Sequence, residues 1–314
     1  MPVLRTELIC RAPDPRFAVA SDGLRTLHRF RQPICDQIGA IGVKFGSQPQ
    51  KIPLIETAAL PNDTKDRSFM PTQLDPADRA KFAAAERALT FVEDGMRLGL
   101  GTGSTAAWFV RLLGERIKND GLDVTCVPTS SRTRDLARSV GIPITTLDEI
   151  GWLDLTVDGA DEFDPNLNLI KGGGGALLQE KIVATASDQM MVISDDTKQV
   201  AHLGAFPLPV EVVKFGWETT KAIIEDTLSE TEVAGQKVTI RLSQKKPYIT
   251  DEGHYILDLH LHKIGSPKVL GLLLNQIPGV VEHGLFIDVA DAVCIGYASG
   301  EARVLQPDLD MAEA

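Results

Sequence analysis

The chain has 314 residues, 43% hydrophobic and 24% charged, which is enough for one large or two modest domains with real cores. No apolar run approaches the ~20 residues of a membrane span, and four scattered cysteines without a CxxC pair (Cys10, Cys35, Cys126, Cys294) indicate neither a disulfide framework nor a zinc site, which fits a reducing cytoplasm. The formal net charge is −11; residues 1–69 carry ten Lys/Arg and seven Asp/Glu, so the remainder is at −14, too acidic for nucleic acid as main partner but open to a small phosphorylated ligand.

Residues 1–69 show no sustained helical or strand period. "RAPDPRF", "FRQP", "SQPQKIP" and "LPNDTKDRS" read as turns and linker. The segment lacks the compact apolar stretch and cleavage site of a secretory signal and is richer in acids than a transit peptide. It is expected to be a weakly ordered extension, or to precede a true start at Met70.

From Asp75 the style changes. "DPADRAKFAAAERALTFVEDG" predicts a helix with Asp75 as N-cap, Pro76 in the first turn and Gly95 as the stop, with Phe82, Ala85, Leu89 and Val92 on one face. Strands and helices then alternate: "MRLGL" before a helix from about Ser104, "VTCVP" before "SSRTRDLARSVG", "LDLTVDG", the helix "ALLQEKIVATAS", and "MMVIS". This pattern predicts an α/β, Rossmann-like domain with a parallel sheet and helices on both faces, spanning residues 70–206 and 288–314. From 207 to 287 the order "VEVVKF", "WETTKAIIEDTL", "KVTIRLS", "YILDLHLH", "SPKVLGLLLNQI", "VVEHGLFI" reads βαββαβ, a smaller ferredoxin-like α+β domain. "ADAVCIGYA" is expected to return to the first sheet.

Three loops at strand ends carry chemistry. In "LGLGTGSTAAWFV", Thr102, Gly103, Ser104 and Thr105 form a strand-to-helix turn. Its unpaired N–H groups and three hydroxyls suit an anion. Gly99-x-Gly101 resembles the start of a dinucleotide fingerprint, but Ser104 stands where the third glycine belongs, and no Lys-Ser/Thr completes a Walker A loop. "VDGADEFD" brings Asp158, Gly159, Ala160 and Asp161 to one turn. Counted as a calcium loop from Asp154, its position 12 is Pro165, so it fails. As proton carriers, the two aspartates would accept from sugar hydroxyls. "KGGGGALLQEKI" combines Lys171 with Gly172, Gly173 and Gly174, whose backbone can converge on an oxyanion. Glu180 follows in the first turns of a helix whose side chains lean back towards that loop.

No GxSxG elbow or HExxH motif competes, and His254, His260 and His262 read as exposed strand residues rather than metal ligands. Other α/β enzymes acting on sugar phosphates or acyl-CoA, a non-catalytic sugar-phosphate sensor and a nicotinamide dehydrogenase are the alternatives. The sensor lacks an attached helix-turn-helix, and the dehydrogenase has only a broken fingerprint.

Together, "GTGST", "VDGADE", "KGGGGALLQEK", "TKQV" and "FPLPVEV" resemble the type A ribose-5-phosphate isomerases in order and spacing, from about Lys81 to the C-terminus. The resemblance implies an aldose-ketose isomerase of the non-oxidative pentose phosphate pathway. It would interconvert ribose 5-phosphate and ribulose 5-phosphate through an enediolate, without metal or organic cofactor. Glu180 would be the general base. Asp158 and Asp161 would handle hydroxyl protons and ring opening, and Lys171 with Gly172–Gly174 would support the enediolate oxygen. Thr102–Thr105 would hold substrate, with Lys198 and Lys81 supplying charge towards the phosphate. The family is usually oligomeric, so a cytoplasmic homodimer or homotetramer is expected, with no nucleic-acid or membrane partner. One departure is Gly175, where relatives commonly have alanine; it is expected only to loosen the helix start.

Overall fold

The structure, a computed structural model, describes residues 74–306. The expectations for residues 1–69 and for Met70 lie outside the described residues.

Asp75 caps the first helix, α1 (Pro76–Leu89), by accepting from the Asp78 N–H at 2.8 Å. The helix stops at Leu89, before the expected Gly95. Gly95 instead adopts φ +83° and gives its N–H to Asp123 O, leading the chain into the sheet. The elements that follow are β1 (Arg97–Leu100), α2 (Ser104–Asp120), β2 (Thr125–Pro128), α3 (Ser131–Ser139), α4 (Leu147–Ile150), β3 (Leu153–Gly159), β4 (Glu162–Phe163), β5 (Leu169–Ile170), α5 (Leu177–Thr185) and β6 (Ser187–Asp195). After a 3-10 turn, Asp196–Lys198, come β7 (Leu208–Val212), α6 (Trp217–Ser229), β8 (Lys237–Ile240), β9 (Leu242–Ser243), β10 (Lys246–Pro247), β11 (Tyr255–His260), α7 (Pro267–Leu274), β12 (Val280–His283), β13 (Leu285–Phe286), β14 (Ala292–Gly296) and β15 (Ala302–Leu305).

The main sheet has the order β15-β14-β6-β3-β1-β2. All its pairings are parallel except that of the edge strand β15, which the sequence pattern did not reveal. The expected return of "ADAVCIGYA" is β14, paired with β6. Helix α1 packs over β6 and β14, and α5 against β3 and β6. Because β1 lies between β2 and β3, the connections leave β1 and β3 in opposite directions across the sheet. Ligands of doubly wound sheets bind at such a switch point, beyond the carboxyl ends of the strands.

The second sheet, β12-β7-β11-β8, is antiparallel throughout, and its order is that of a ferredoxin-like βαββαβ unit. Its core joins Val210, Leu257 and Leu259 to Ile224 and Leu228 of α6 and Leu270 and Leu274 of α7. "VVEHGLFI" is not one strand. It breaks at Gly284, whose N–H donates to Pro209 O, and Leu285–Phe286 turn to pair with Leu169–Ile170. The result is a third sheet, β13-β5-β4, of two-residue strands. Its Ile170 belongs to the ferredoxin-like core and its Leu169, Phe163 and Phe286 to a core shared with β6 and β14.

Candidate active site

The three loops converge on a cleft of about 540 Å³ beyond β1, β3 and β6. Lys81, Thr102, Gly103, Ser104, Thr105, Gly159, Ala160, Asp161, Lys171, Gly172, Gly174, Glu180 and Lys198 all line it. Asp158 and Gly173 are not in its wall. Asp158 lies completely buried behind Lys171, and Gly173 gives its N–H to Asp161 Oδ2 at 2.7 Å.

Each acid of "VDGADEFD" has a different post. Asp158, near the end of β3, accepts from the Thr102 and Gly159 N–H groups through Oδ1, while Oδ2 stands 3.0 Å from Lys171 Nζ. Asp161 is held at the mouth of the small sheet by its own N–H, bonded to Ile170 O, and by Gly173. Glu162 is structural: buried, it accepts from the N–H groups of Gly204 and Phe206. Asp164 closes its own turn by accepting from Asn166 and Asn168. Asp154, first position of the calcium-loop alternative, lies in a strand and pairs with Arg97 at 2.6 Å. Among the described residues no three His, Cys, Asp or Glu side chains come together as a possible metal site.

Lys171 follows β5, its N–H bonded to Gly284 O. Its ammonium donates to Gly159 O at 2.6 Å and stands 3.4 Å from Glu180 Oε1. Burial opposes its charge, yet Asp158, Glu180 and Asp161 together hold its pKa above the ordinary value. Glu180, in the first turn of α5, is only 3% exposed, so its place in a "QEK" helix is not that of a solvated surface residue. Its Oε2 is buried and accepts no hydrogen bond from the described residues. Burial and the Asp158 charge, against the pull of Lys171, push its pKa up to about 8. Burial also raises Asp158, with Lys171 opposing. Both carboxyls beside the ammonium thus bind a proton more tightly than they would in water.

At the other end of the cleft α2 begins at Ser104 with no side-chain cap, leaving its first N–H groups open. The Thr102 hydroxyl is not part of that opening. It is engaged with the hydroxyls of Thr129, Ser130 and Thr133. Gly99 and Gly101 have a packing role: a Cβ on Gly101 would collide with Asp158. Lys81 lines the cleft while paired with Asp78 at 3.2 Å, and Lys198 enters from the 3-10 turn. Asp195 and Thr197, absent from the sequence expectations, line it too. Their position at the carboxyl end of β6 was the available signal. The histidines are not three exposed strand residues: half-buried His254 precedes β11 and pairs with Glu211, half-buried His260 ends β11 and meets Thr239, and exposed His262, at φ +60°, lies beyond the strand.

The family model for ribose 5-phosphate isomerase A (phosphoriboisomerase A) matches residues 125–300. The chain belongs to this family. A ribose-5-phosphate isomerase A of Ruegeria sp. strain TM1040 is 65% identical over 235 residues, 75% of this chain and 90% of the relative. One from Cereibacter sphaeroides is 64% identical over 245 residues, 78% and 93% of the two chains. Among solved structures, a D-ribose-5-phosphate isomerase in complex with phospho-erythronic acid is similar, with TM-score 0.68 and 42% identity over 73% of this chain and 99% of that one. The ribose 5-phosphate isomerase A of Methanocaldococcus jannaschii has TM-score 0.66 and 40% identity over 72% and 97%. With relatives this similar over nine-tenths of their length, this chain is an enzyme with sugar-phosphate isomerase activity.

Proposed function

We propose that the cleft interconverts D-ribose 5-phosphate and D-ribulose 5-phosphate through an enediolate, with Glu180 as the general base. The observation that carries this reading is the state of Glu180: buried, raised in basicity, with one oxygen that has no donor among the described residues and a cation beside the other. Abstracting a proton next to a carbonyl needs such a base and fixed donors for the oxygen that gains charge.

In the aldose-to-ketose direction, Glu180 takes the proton from C2 as the C1 carbonyl oxygen becomes the enediolate oxygen. Lys171 and the N–H groups of the glycine loop hold that oxygen. Glu180 then returns its proton to C1, and the C2 hydroxyl proton passes to O1, so no electrons enter or leave. Asp161, which lines the cleft, serves hydroxyl proton transfer and ring opening, while Asp158, buried behind Lys171, acts on the exchange through the charges of Lys171 and Glu180. Ser104, Thr105 and the open start of α2 receive the phosphate, with Lys198 and Lys81 adding charge. The phospho-erythronic acid bound by the 42% identical relative is a ligand of the size and charge this cleft suits.

The step belongs to the non-oxidative pentose phosphate pathway. We also infer an oligomer in the cytoplasm. Val269, Leu272 and Leu273, one apolar face of α7, are 51%, 63% and 38% exposed, an area that a second subunit would cover. No helix among the described residues is long and apolar enough to cross a membrane.

The test is isomerisation of ribose 5-phosphate by chelator-treated protein, with Glu180→Gln alongside. The wild type turns over, and the variant loses roughly 10²–10⁴-fold in turnover while still binding substrate. Binding without turnover by the wild type, or a Gln variant at full rate, overturns the reading.

A further inference from the structure

The glycine loop has no side chains with which to fix its own peptide planes, and glycine is the residue freest to rotate them. Within the loop the Gly175 N–H donates to Gly172 O at 2.9 Å; the Gly173–Gly174 peptide takes its orientation from outside, and Arg241 supplies it. Arg241 leaves β8 on the ferredoxin-like sheet. Its Nε donates to Asp258 Oδ2 at 3.0 Å, and its Nη2 pairs with Asp258 Oδ1. The remaining nitrogen, Nη1, donates to Gly172 O at 2.7 Å and to Gly173 O at 3.2 Å. The ion pair is largely sheltered, its side chains 15% and 18% exposed.

Both peptides are trans, so each N–H points away from its own carbonyl. Drawing Gly172 O towards Arg241 sends the Gly173 N–H the other way, to Asp161 Oδ2. Drawing Gly173 O towards Arg241 does the same for the Gly174 N–H. Asp161, which takes the Gly173 N–H, lines the cleft, and Arg241 does not, so the side opposite the guanidinium faces the cleft. A cation at the carbonyl end also polarises the peptide and strengthens its N–H as a donor.

We propose that Arg241, braced by Asp258, is a positioning residue for the reaction: it sets the Gly172–Gly173 and Gly173–Gly174 peptides so that one holds Asp161 and the other presents its N–H to the enediolate oxygen. This rests on the isomerase reading above. Arg241 touches no substrate and acts through backbone alone. The segment that follows it makes further anchors: Tyr248 packs on Gly175, and Asp251 accepts from the Ser131 N–H at the start of α3.

The experiment uses the full chain and Arg241→Met, which keeps bulk and removes the donors. Because the interaction matters most when charge develops on the substrate oxygen, kcat falls about 10–100-fold while KM for ribose 5-phosphate stays within about threefold. Hydrogen exchange across residues 171–175 accelerates. Arg241→Lys, with one compact cation and no fork, recovers part of kcat. Asp258→Asn, which keeps the guanidinium but loosens its brace, shows the same kcat-selective loss to a smaller degree and covers the case in which the Met variant does not fold. A folded Arg241→Met with unchanged kcat, a loss confined to KM, or unchanged exchange in the loop overturns the proposal. A wild type that fails to turn over sinks the isomerase reading instead, and the exchange measurement still judges Arg241 as the anchor of the loop.

Discussion

Asp158 occupies the space that any side chain at Gly101 would need: a Cβ there would stand 2.5 Å from the Asp158 Cα and closer still to its carboxylate. Gly101 follows β1 and Asp158 is the penultimate residue of the parallel neighbour β3, and their approach lets one Asp158 oxygen accept the Thr102 N–H while the other meets Lys171. Gly101→Ala is therefore expected to destabilise the protein by about 1–3 kcal/mol, as overpacking does. It should also lower turnover at least tenfold by displacing Asp158. Chemical denaturation and the isomerase assay on one preparation check both.

Raising Glu180 to about 8 has a visible consequence in the pH profile. A reaction that needs the ionised base climbs in kcat/KM as pH rises to about 8 and levels off above it. Asp158 is one of the charges that raises Glu180, so in Asp158→Asn the climb moves to lower pH, whatever the height of the plateau. An unmoved limb would separate the two carboxyls.

Lys171 stands between both carboxyls and is their counter-charge. A carboxyl that binds its proton more tightly folded than unfolded stabilises the fold below its unfolded pKa and loses that contribution as pH rises through the folded one. For Glu180 this window runs from about 4.5 to about 8. Lys171→Met removes the opposing cation and deepens the loss, to roughly 3–5 kcal/mol where both carboxyls are ionised. Urea midpoints of variant and wild type should diverge at pH 8 and draw together near pH 5.

Gly175 carries more than a loosened helix start. It sits at φ +81°, and a Cβ there would lie 2.6 Å from Tyr248 carbons. Gly175→Ala is expected to cost about 1–2 kcal/mol here. Adding Tyr248→Ala should recover part of the loss, leaving the backbone strain. Thermal denaturation of the single and double variants measures the difference.

The alternating strands and helices and the three loops were legible because each rests on local signals: periodic apolar residues, caps, and glycines at strand ends. The burial of Glu180 was not, since "QEK" in a helix gives no sign of which wall it will meet. The small sheet escaped because two-residue strands such as Glu162–Phe163 have no period to read. The Thr102 hydroxyl read as a ligand donor because its partners, Thr129, Ser130 and Thr133, belong to the next strand-to-helix turn. Arg241 escaped for a similar reason: nothing near it in sequence mentions the glycine loop that it holds.

The small sheet also fixes when the site can exist. Asp161 and Lys171 flank β4 and β5, but Lys171 takes its backbone partner from Gly284, and β5 takes its outer neighbour from Leu285–Phe286. Those residues leave the ribosome long after the loops they secure, at the end of the stretch that forms the ferredoxin-like unit. Pairing across so long a stretch of chain is slow to nucleate. A nascent chain thus carries Asp158, Asp161, Lys171 and Glu180 well before Gly284–Phe286 can hold the small sheet that positions Asp161 and Lys171.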